Sequence, residues 1–395
     1  MSFNFQYTFS RAVGARFFSE LGDTKPTEAT IKKLLEEQTR LKKIVDEKST
    51  KIVTNLEQAE KQLAAKKAEL TQAYEKQKAV VAQLEKEAKS KSFFSTTKAK
   101  LIAEKAKLAG LSLGDKATQA ILKPYVDAVA SIKEHGSAQF GAFPEYYEYE
   151  KITHTLDLLR RELTIEMIQK YQPTVICFQE GFYDMPVFLE RLKIYRMIYR
   201  DPNAKPADVK RIDKEVDVNA IFYNPQRLHL ESNGMLWLND KQQPFHLSWG
   251  ANTMRTCAWG HFKDIASNNF LWIFNTHLDH KSQEARKQGA LLIANFIKEK
   301  TQNELTFLIG DFNVKNLQAT ISQLFTAPFT FIDAKNIASQ KIGPQHTLIK
   351  GAIIDYFLVA NADKINVLRY EVIDFSRGGL TPSDHRAVIL DFEFK

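Results

Sequence analysis

IFNTHLDHKSQEARKQGALLIANFIKEKTQNELTFLIGDFN, residues 273–313, is the stretch that decides the fold. Two short apolar runs each end in a polar cluster, and a segment with helical spacing of apolar residues lies between them. As strands, the runs bury Ile273, Phe274, Thr306, Phe307, Leu308 and Ile309 and carry Asn275, His277, Asp311 and Asn313 to one rim of a sheet. Each cluster alone has a plainer reading, since Gly, Asp and Asn are also the residues that turns prefer. The rest of the chain has to supply the missing parts.

With 395 residues and 44% hydrophobic composition there is room for a large core and an added unit. No apolar run approaches the roughly 18 residues that span a bilayer, so a soluble, cytoplasmic protein is expected. The first 20 residues also carry Arg11, Arg16, several Ser and aromatic residues and no acid before Glu20, a composition like that of a transit peptide. Cys177 and Cys257 both sit in apolar, strand-like stretches and give neither a disulfide framework nor zinc spacing. Residues 24–135 hold 23 Lys and Arg against 15 Asp and Glu, which accounts for the whole net charge of +8 and leaves the remainder neutral. A basic insert of this kind favours an anionic surface or an acidic partner, unless it is simply a solvated helix face.

At the N-terminus MSFNFQYTF alternates with period two, as a strand does. Residues 27–89 contain neither Gly nor Pro, and Pro26 stands at the first turn of a helix. Ile52, Leu56, Ala59, Leu63, Leu70, Ala73, Val80 and Leu84 form a partly polar heptad seam, interrupted by Lys66 and Gln77. A coiled-coil arm is expected, about 90 Å long at 1.5 Å per residue, that either folds back on itself or self-associates. Phe93 and Phe94 mark a break. Shorter helices are expected over 96–109 and 115–135, ended by Gly110 and Gly136, the second kinked or split at Pro124.

A linker over 137–144 and an amphipathic helix over 149–171 follow, then the buried strand TVICF closing on Gln179 and Glu180. Further strands are read in DVNAIFY, around Trp259 to Phe262, and in IIDYFLV. Asp355 is the one charge in that last run and needs a partner, which His385 in TPSDHRAVILDF can supply. A histidine, an aspartate and an asparagine at one rim can orient a water, hold a divalent cation and donate to phosphoryl oxygens, as phosphoester hydrolysis requires.

FNFQY, CFQE, DVNAIFY, MRTCAW, FNTHLDH, GDFN, IIDYFLV and PSDH occur here in the order seen in the endonuclease/exonuclease/phosphatase superfamily, which the chain resembles outside residues 24–135. The resemblance implies an α/β, four-layer sandwich of two packed mixed β-sheets, interrupted by an all-α coiled-coil insertion. The expected boundaries are 1–23 for the first strand, 24–135 for the insertion and 136–395 for the rest of the catalytic domain. It also implies divalent-metal-dependent phosphoester cleavage, with Mg2+ as the cofactor and Mn2+ as the alternative.

Carried over by position, Glu180 and Asp384 are the metal ligands, and Asn4 lies on the metal side toward the substrate phosphate with Arg255. Asp311 and Asn313 orient the nucleophilic water, His385 pairs with Asp355, and His277 contacts the phosphate or assists the leaving group. Asp217 would support His277, but relatives commonly have Glu there, one methylene longer. Asp279 and His280 could extend the site, although structural roles suit them better, and Arg286, Lys287 and Tyr183 read as helix-face or packing residues.

Three functions fit the sequence. A phosphodiesterase or nuclease would use the basic arm to dock nucleic acid through counterion release. A phosphomonoesterase would act on a phosphoinositide, another phosphorylated lipid or a small molecule, with the arm binding a protein partner or anionic surface. A coiled-coil scaffold with an inactive hydrolase domain is the third. The first is favoured, and the crowding of acids and histidines at one rim speaks against the last.

Overall fold

The structure is a computed structural model that describes every residue except 1, 5–25, 91–94, 113, 115, 143, 181–187, 189, 200–218 and 326–329. Most of the transit-like stretch (1 and 5–20), the break at Phe93 and Phe94, Tyr183 and Asp217 therefore lie outside the described residues. The chain forms two compact units, a helical one over Lys33–Thr155 and a sandwich over Met1–Lys32 with Leu156–Lys395.

In the helical unit the sequence runs on where breaks were expected. Helix α1 (Glu28–Ser90) is a single helix of 63 residues, opened by the Thr27 hydroxyl accepting from the Thr30 amide at 3.2 Å. Helix α2 (Ser95–Gly110) stops at its glycine. Helix α3 (Lys116–Ala142) passes through both Pro124 and Gly136, so the expected end at Gly136 and the linker over 137–144 are corrected. An interior glycine costs only about 1 kcal/mol, a penalty that helical neighbours on both sides outweigh. Helix α4 (Pro144–Tyr171) begins at Pro144, not Tyr149, where proline's missing N–H costs nothing.

The later helices return along α1. Gln77 donates to the Glu104 carboxylate, Lys133 meets Glu60 at 2.7 Å and Lys48 meets Glu145 at 3.0 Å. Such exposed pairs are screened by water and contribute little, so the buried Leu41, Leu70, Val81, Leu84, Leu122 and Val129 matter more. Val81 is buried while Val80 is 42% exposed, one residue off the expected seam. No helix among the described residues is long and apolar enough to cross a membrane.

The sandwich unit contains β1 (Ser2–Asn4), β2 (Val175–Gln179), β3 (Arg196–Ile198), β4 (Ala220–Tyr223), β5 (Leu228–Trp237), β6 (Thr256–Asp264), β7 (Phe270–His277), helix α5 (Gln283–Lys300), β8 (Leu305–Asp311), β9 (Ile332–Asp333), β10 (Gln340–Ile342), β11 (Asp355–Ala360), β12 (Ile365–Val372) and β13 (Val388–Phe394). Seven strands form one mixed sheet in the order β10-β12-β13-β1-β2-β4-β3, and six form the other, β5-β6-β7-β8-β11-β9. Only Ser2 to Asn4 of the expected N-terminal strand are described, paired parallel to β2 and, at Ser2, antiparallel to β13.

Three apolar clusters make the layers. Leu271, Ile273, Phe307, Ile309, Phe357 and Val359 face the first sheet, where Cys177, Ile221 and Val388 meet them. The alternate residues Trp272, Phe274, Leu308 and Leu358 pack outward with Ala290, Ile293 and Ile297 of α5. On the far side Ile165, Met167 and Ile168 of α4 pack with Ile176 and Phe178. Strands buried on both faces read as continuous apolar runs, which is what 273–274 and 306–309 are. The fold is the expected α/β sandwich of two mixed sheets between helices.

Asn275 departs from expectation. It is fully buried between the sheets, where its amide donates to the carbonyls of Phe178 at 2.8 Å and Ala220 at 2.9 Å and accepts from Gln179 at 2.7 Å. It therefore clamps the two sheets together one step below the rim.

Candidate active site

The residues that alternate inward along β7, β8 and β11 end in polar side chains. Continuing 271, 273 and 275 gives His277; continuing 305, 307 and 309 gives Asp311; and preceding 359 and 357 is Asp355. Strand register aligns them, His277 with Asp311 in the parallel pair and Asp311 with Asp355 in the antiparallel pair. Asp311 thus sits in the middle, and all three are buried. Gly310, with φ of +143, permits this close approach of β8 to β7, because a Cβ there would stand 1.8 Å from the Thr276 carbonyl oxygen.

His385 arrives from the loop before β13. Its Nδ1 lies 2.9 Å from Asp355 Oδ2 and 3.1 Å from Oδ1, so the carboxylate holds the ring by a proton on Nδ1 and leaves Nε2 for exchange. Burial alone would lower the His385 ring, but Asp355, with Asp311 and Asp384 beyond it, reverses this and raises it to about 9. Asp311 moves upward as well, chiefly through burial, with the neighbouring Asp355 adding to it and His277 and His385 opposing.

Two residues reach the cluster through left-handed backbone. Asn313, at φ 52, turns back so that its amide N–H meets Asp311 Oδ1 at 2.7 Å and its Nδ2 reaches both His277 Nε2 and the Leu278 carbonyl at 3.0 Å. Donation to Nε2 leaves neutral His277 its proton on Nδ1, the side on which Glu180 Oε1 lies at 3.8 Å. His277 Nε2 is 3.5 Å from Asp311 Oδ2. By strand alternation Glu180 would follow Phe178 outward, but its φ of 56 breaks the pattern.

Asp384 is exposed, and Ser383 Oγ lies 3.3 Å from its Oδ1. Arg255 is buried, 3.3 Å through Nη2 from His280 Nδ1. Asp279 is an anchor: its carboxylate accepts the amides of Asn252, Lys281 and Ser282 at 3.0, 2.9 and 2.7 Å, and its carbonyl accepts from Arg286. Burial would raise its carboxyl, but those amides and Arg255 hold it below the ordinary range. For Asn4 the backbone alone is described, paired with Gln179. Asp217 has no described position.

Two supporting residues escaped the sequence reading. Thr347 Oγ1 accepts the amides of Ile354 at 3.2 Å and Asp355 at 3.3 Å, and nothing in the local string QHTLIKG signals it. Ser383 Oγ accepts the His385 amide at 3.1 Å, a hydroxyl-to-backbone turn that a Ser two residues before the histidine could have suggested.

Asp311, Asp355 and His385 each offer one ligand atom within 4.8 Å of one another. This differs from the Glu180 and Asp384 pair expected from sequence, and within it Asp355 and His385 already satisfy each other. The buried carboxylates of Asp311 and Asp355 are nevertheless the oxygen type that a hard divalent cation takes.

The Endonuclease/Exonuclease/phosphatase family matches residues 154–385. An uncharacterized protein of Acanthamoeba polyphaga mimivirus is 24% identical over 251 residues, which are 59% of this chain and 91% of that protein. Among solved structures, an endonuclease/exonuclease/phosphatase from Bacteroides vulgatus superposes with a TM-score of 0.53 at 24% identity, over 60% of this chain and 90% of the other. The mannosyl-6-phosphatase of Bacteroides thetaiotaomicron does so with a TM-score of 0.52 at 25% identity, over 60% and 92%.

Proposed function

The chain belongs to the endonuclease/exonuclease/phosphatase family, and from that premise we propose that its rim site hydrolyses a phosphoester by attack of water assisted by a divalent cation. The observation that carries this is the convergence of Glu180, His277, Asp311, Asn313, Asp355 and His385 from separate strands and loops. So many polar groups in one buried corner are costly unless they act on something.

In this mechanism Asp311 and the amide of Asn313 orient the water, and burial gives the Asp311 carboxylate the proton affinity to accept its proton. The water oxygen bonds to phosphorus as the ester P–O bond breaks. His385, kept protonated by Asp355, faces the negative charge that develops on the phosphoryl oxygens. His277, oriented by Asn313, is assigned a hydrogen bond from its Nδ1 proton to the phosphate, and the leaving oxygen takes its proton from solvent. Arg255 and Asn4 are assigned to the phosphate on the family pattern. A cation held by Glu180, Asp311 and Asp384, Mg2+ or Mn2+, would neutralise charge on the phosphoryl group.

For the substrate we adopt a small phosphomonoester. The sandwich lacks the excess positive charge of a strong nucleic-acid binder, and a structure 25% identical with a TM-score of 0.52 is a mannosyl-6-phosphatase. The phosphodiester is the second reading, favoured by the basic arm. The full-length protein with Mg2+ would be given hexose phosphates, mononucleotides, phosphoinositides, bis-phosphodiesters and single-stranded nucleic acid. Release of orthophosphate is expected; nucleotide fragments would establish the diester instead, and no product from any of them would defeat both.

A further inference from the structure

We propose that Arg160 and Glu166 of α4 are positioning residues for the loop that carries Asp384 and His385, a proposal that rests on the function assigned above to that pair. A run of hydrogen bonds leads from the helix to the site. Arg160 Nη1 donates to the Thr381 carbonyl and lies 3.4 Å from Thr381 Oγ1. Thr381 Oγ1 donates to the Ser383 carbonyl at 2.7 Å. Ser383 Oγ in turn accepts the His385 amide at 3.1 Å and lies 3.3 Å from Asp384 Oδ1.

Glu166 holds the same loop at its other end, its carboxylate accepting from Nη1 and Nη2 of Arg377. Between these two grips the loop closes on itself, Arg377 and Leu380 exchanging both backbone hydrogen bonds at 2.9 Å. Gly378, at φ +56, lies against the first turn of α1, where a Cβ would come within 2.5 Å of the Glu28 carbonyl oxygen. His385 is thus fixed from two directions, its ring by Asp355 of β11 and its main chain by this relay. Loss of the relay leaves the ring tethered while the backbone beneath it shifts.

Docking of α4 does not depend on these polar groups. Ile165, Met167 and Ile168 already bury the helix against the first sheet, and Arg160 and Glu166 lie only part-buried beside that face. Their removal should therefore act on geometry more than on folding. A displacement of about 1 Å in a catalytic group costs on the order of 100-fold in rate.

The test uses full-length Arg160→Ala, Arg160→Lys and Glu166→Gln, with steady-state kinetics, melting temperature and the imidazole signals of His385 by NMR. Arg160→Ala should lower kcat about 10- to 100-fold with KM changed less than about threefold, and Arg160→Lys should recover much of the loss because an ammonium can still reach the carbonyl. The His385 signals should move while those of His261, in β6 of the other sheet beside Glu304, stay in place. An unchanged kcat in folded Arg160→Ala overturns the proposal, as does a loss that Lys does not rescue and that tracks the melting temperature. If the wild type hydrolyses no substrate, the NMR comparison alone decides, and unmoved His385 signals refute the positioning role. If Arg160→Ala does not fold, Thr381→Val, which cuts the relay without touching the helix, is read by the same criteria.

Discussion

Asp311 of β8 and Asp355 of β11 stand directly opposite each other in the antiparallel ladder, both turned into the gap between the sheets. Two buried carboxylates in that position repel unless something separates their roles. His385 does so by taking Asp355, at 2.9 Å, as a dedicated partner and leaving Asp311 to Asn313. One carboxylate holds a histidine, and the other is the one proposed to act on water. This division underlies the predictions below.

Replacing Asp355 with Asn should separate the electrostatic role from the packing, since the amide fills the same space. The His385 ring, raised to about 9 with Asp355 present, should titrate well below that in Asp355→Asn, because burial is then opposed only by the smaller contributions of Asp311 and Asp384. A raised folded-state value contributes stability that is fully present below about pH 6.5 and is lost as pH rises through about 9. In EDTA-treated protein, the wild type should therefore lose stability across that window and the variant should show little change. NMR titration and urea midpoints at several pH values check this, and kcat should fall about 100-fold or more.

Asn313 combines two demands, a left-handed backbone at φ 52 and a side-chain donor for His277. Asp tolerates the same backbone but cannot donate. Asn313→Asp should thus keep its melting temperature within a few degrees while kcat drops about 100- to 1,000-fold, as for loss of one oriented donor. Asn313→Ala should lose comparable activity and add about 1 kcal/mol of backbone strain. Equal turnover in Asn313→Asp and wild type would remove Asn313 from the mechanism.

These cases show what the sequence can convey. The strands ending at His277 and Asp311 were legible because both of their faces are apolar, and Asp355 announced its need for a partner by being the single charge in its run. Tertiary facts are not carried by local strings. Asn275 looked like a rim residue because nothing in FNTH says that the other sheet lies one step below. Gly136 looked like a helix end because the penalty of one glycine is visible in sequence while the support around it is not. The grip of Arg160 on Thr381 spans 221 residues, and no local pattern encodes it.

Glu180 meets His277 Nδ1 at 3.8 Å from a strained φ of 56, and its carboxylate remains 17% exposed at the rim. A side chain held there at some backbone cost suits a cation ligand better than a structural ion pair. Chelation with EDTA should abolish turnover, and Mg2+ or Mn2+ should restore it. In Glu180→Gln the half-saturating Mg2+ concentration should rise on the order of tenfold or more. Full activity in EDTA would end the cation proposal, whatever the variant does.

Asn275 provides the converse case, a polar residue near the site whose role is in the fold. Its three side-chain hydrogen bonds, to Phe178, Ala220 and Gln179, join β7 to both β2 and β4, strands that share no backbone ladder with β7 among the described residues. Asn275→Leu keeps a similar volume but removes one hydrogen bond each from the Phe178 and Ala220 carbonyls and the Gln179 amide, each loss costing about 1–2 kcal/mol in a buried place. The variant should lose about 3–5 kcal/mol of stability, read from the urea midpoint at unchanged m-value. At a temperature where it remains folded, its kcat and KM should stay within about threefold of wild type, because every group it contacts belongs to the sheets and none to the Asp311 cluster. A folded Asn275→Leu that has lost turnover without losing stability would instead place Asn275 among the residues that touch substrate.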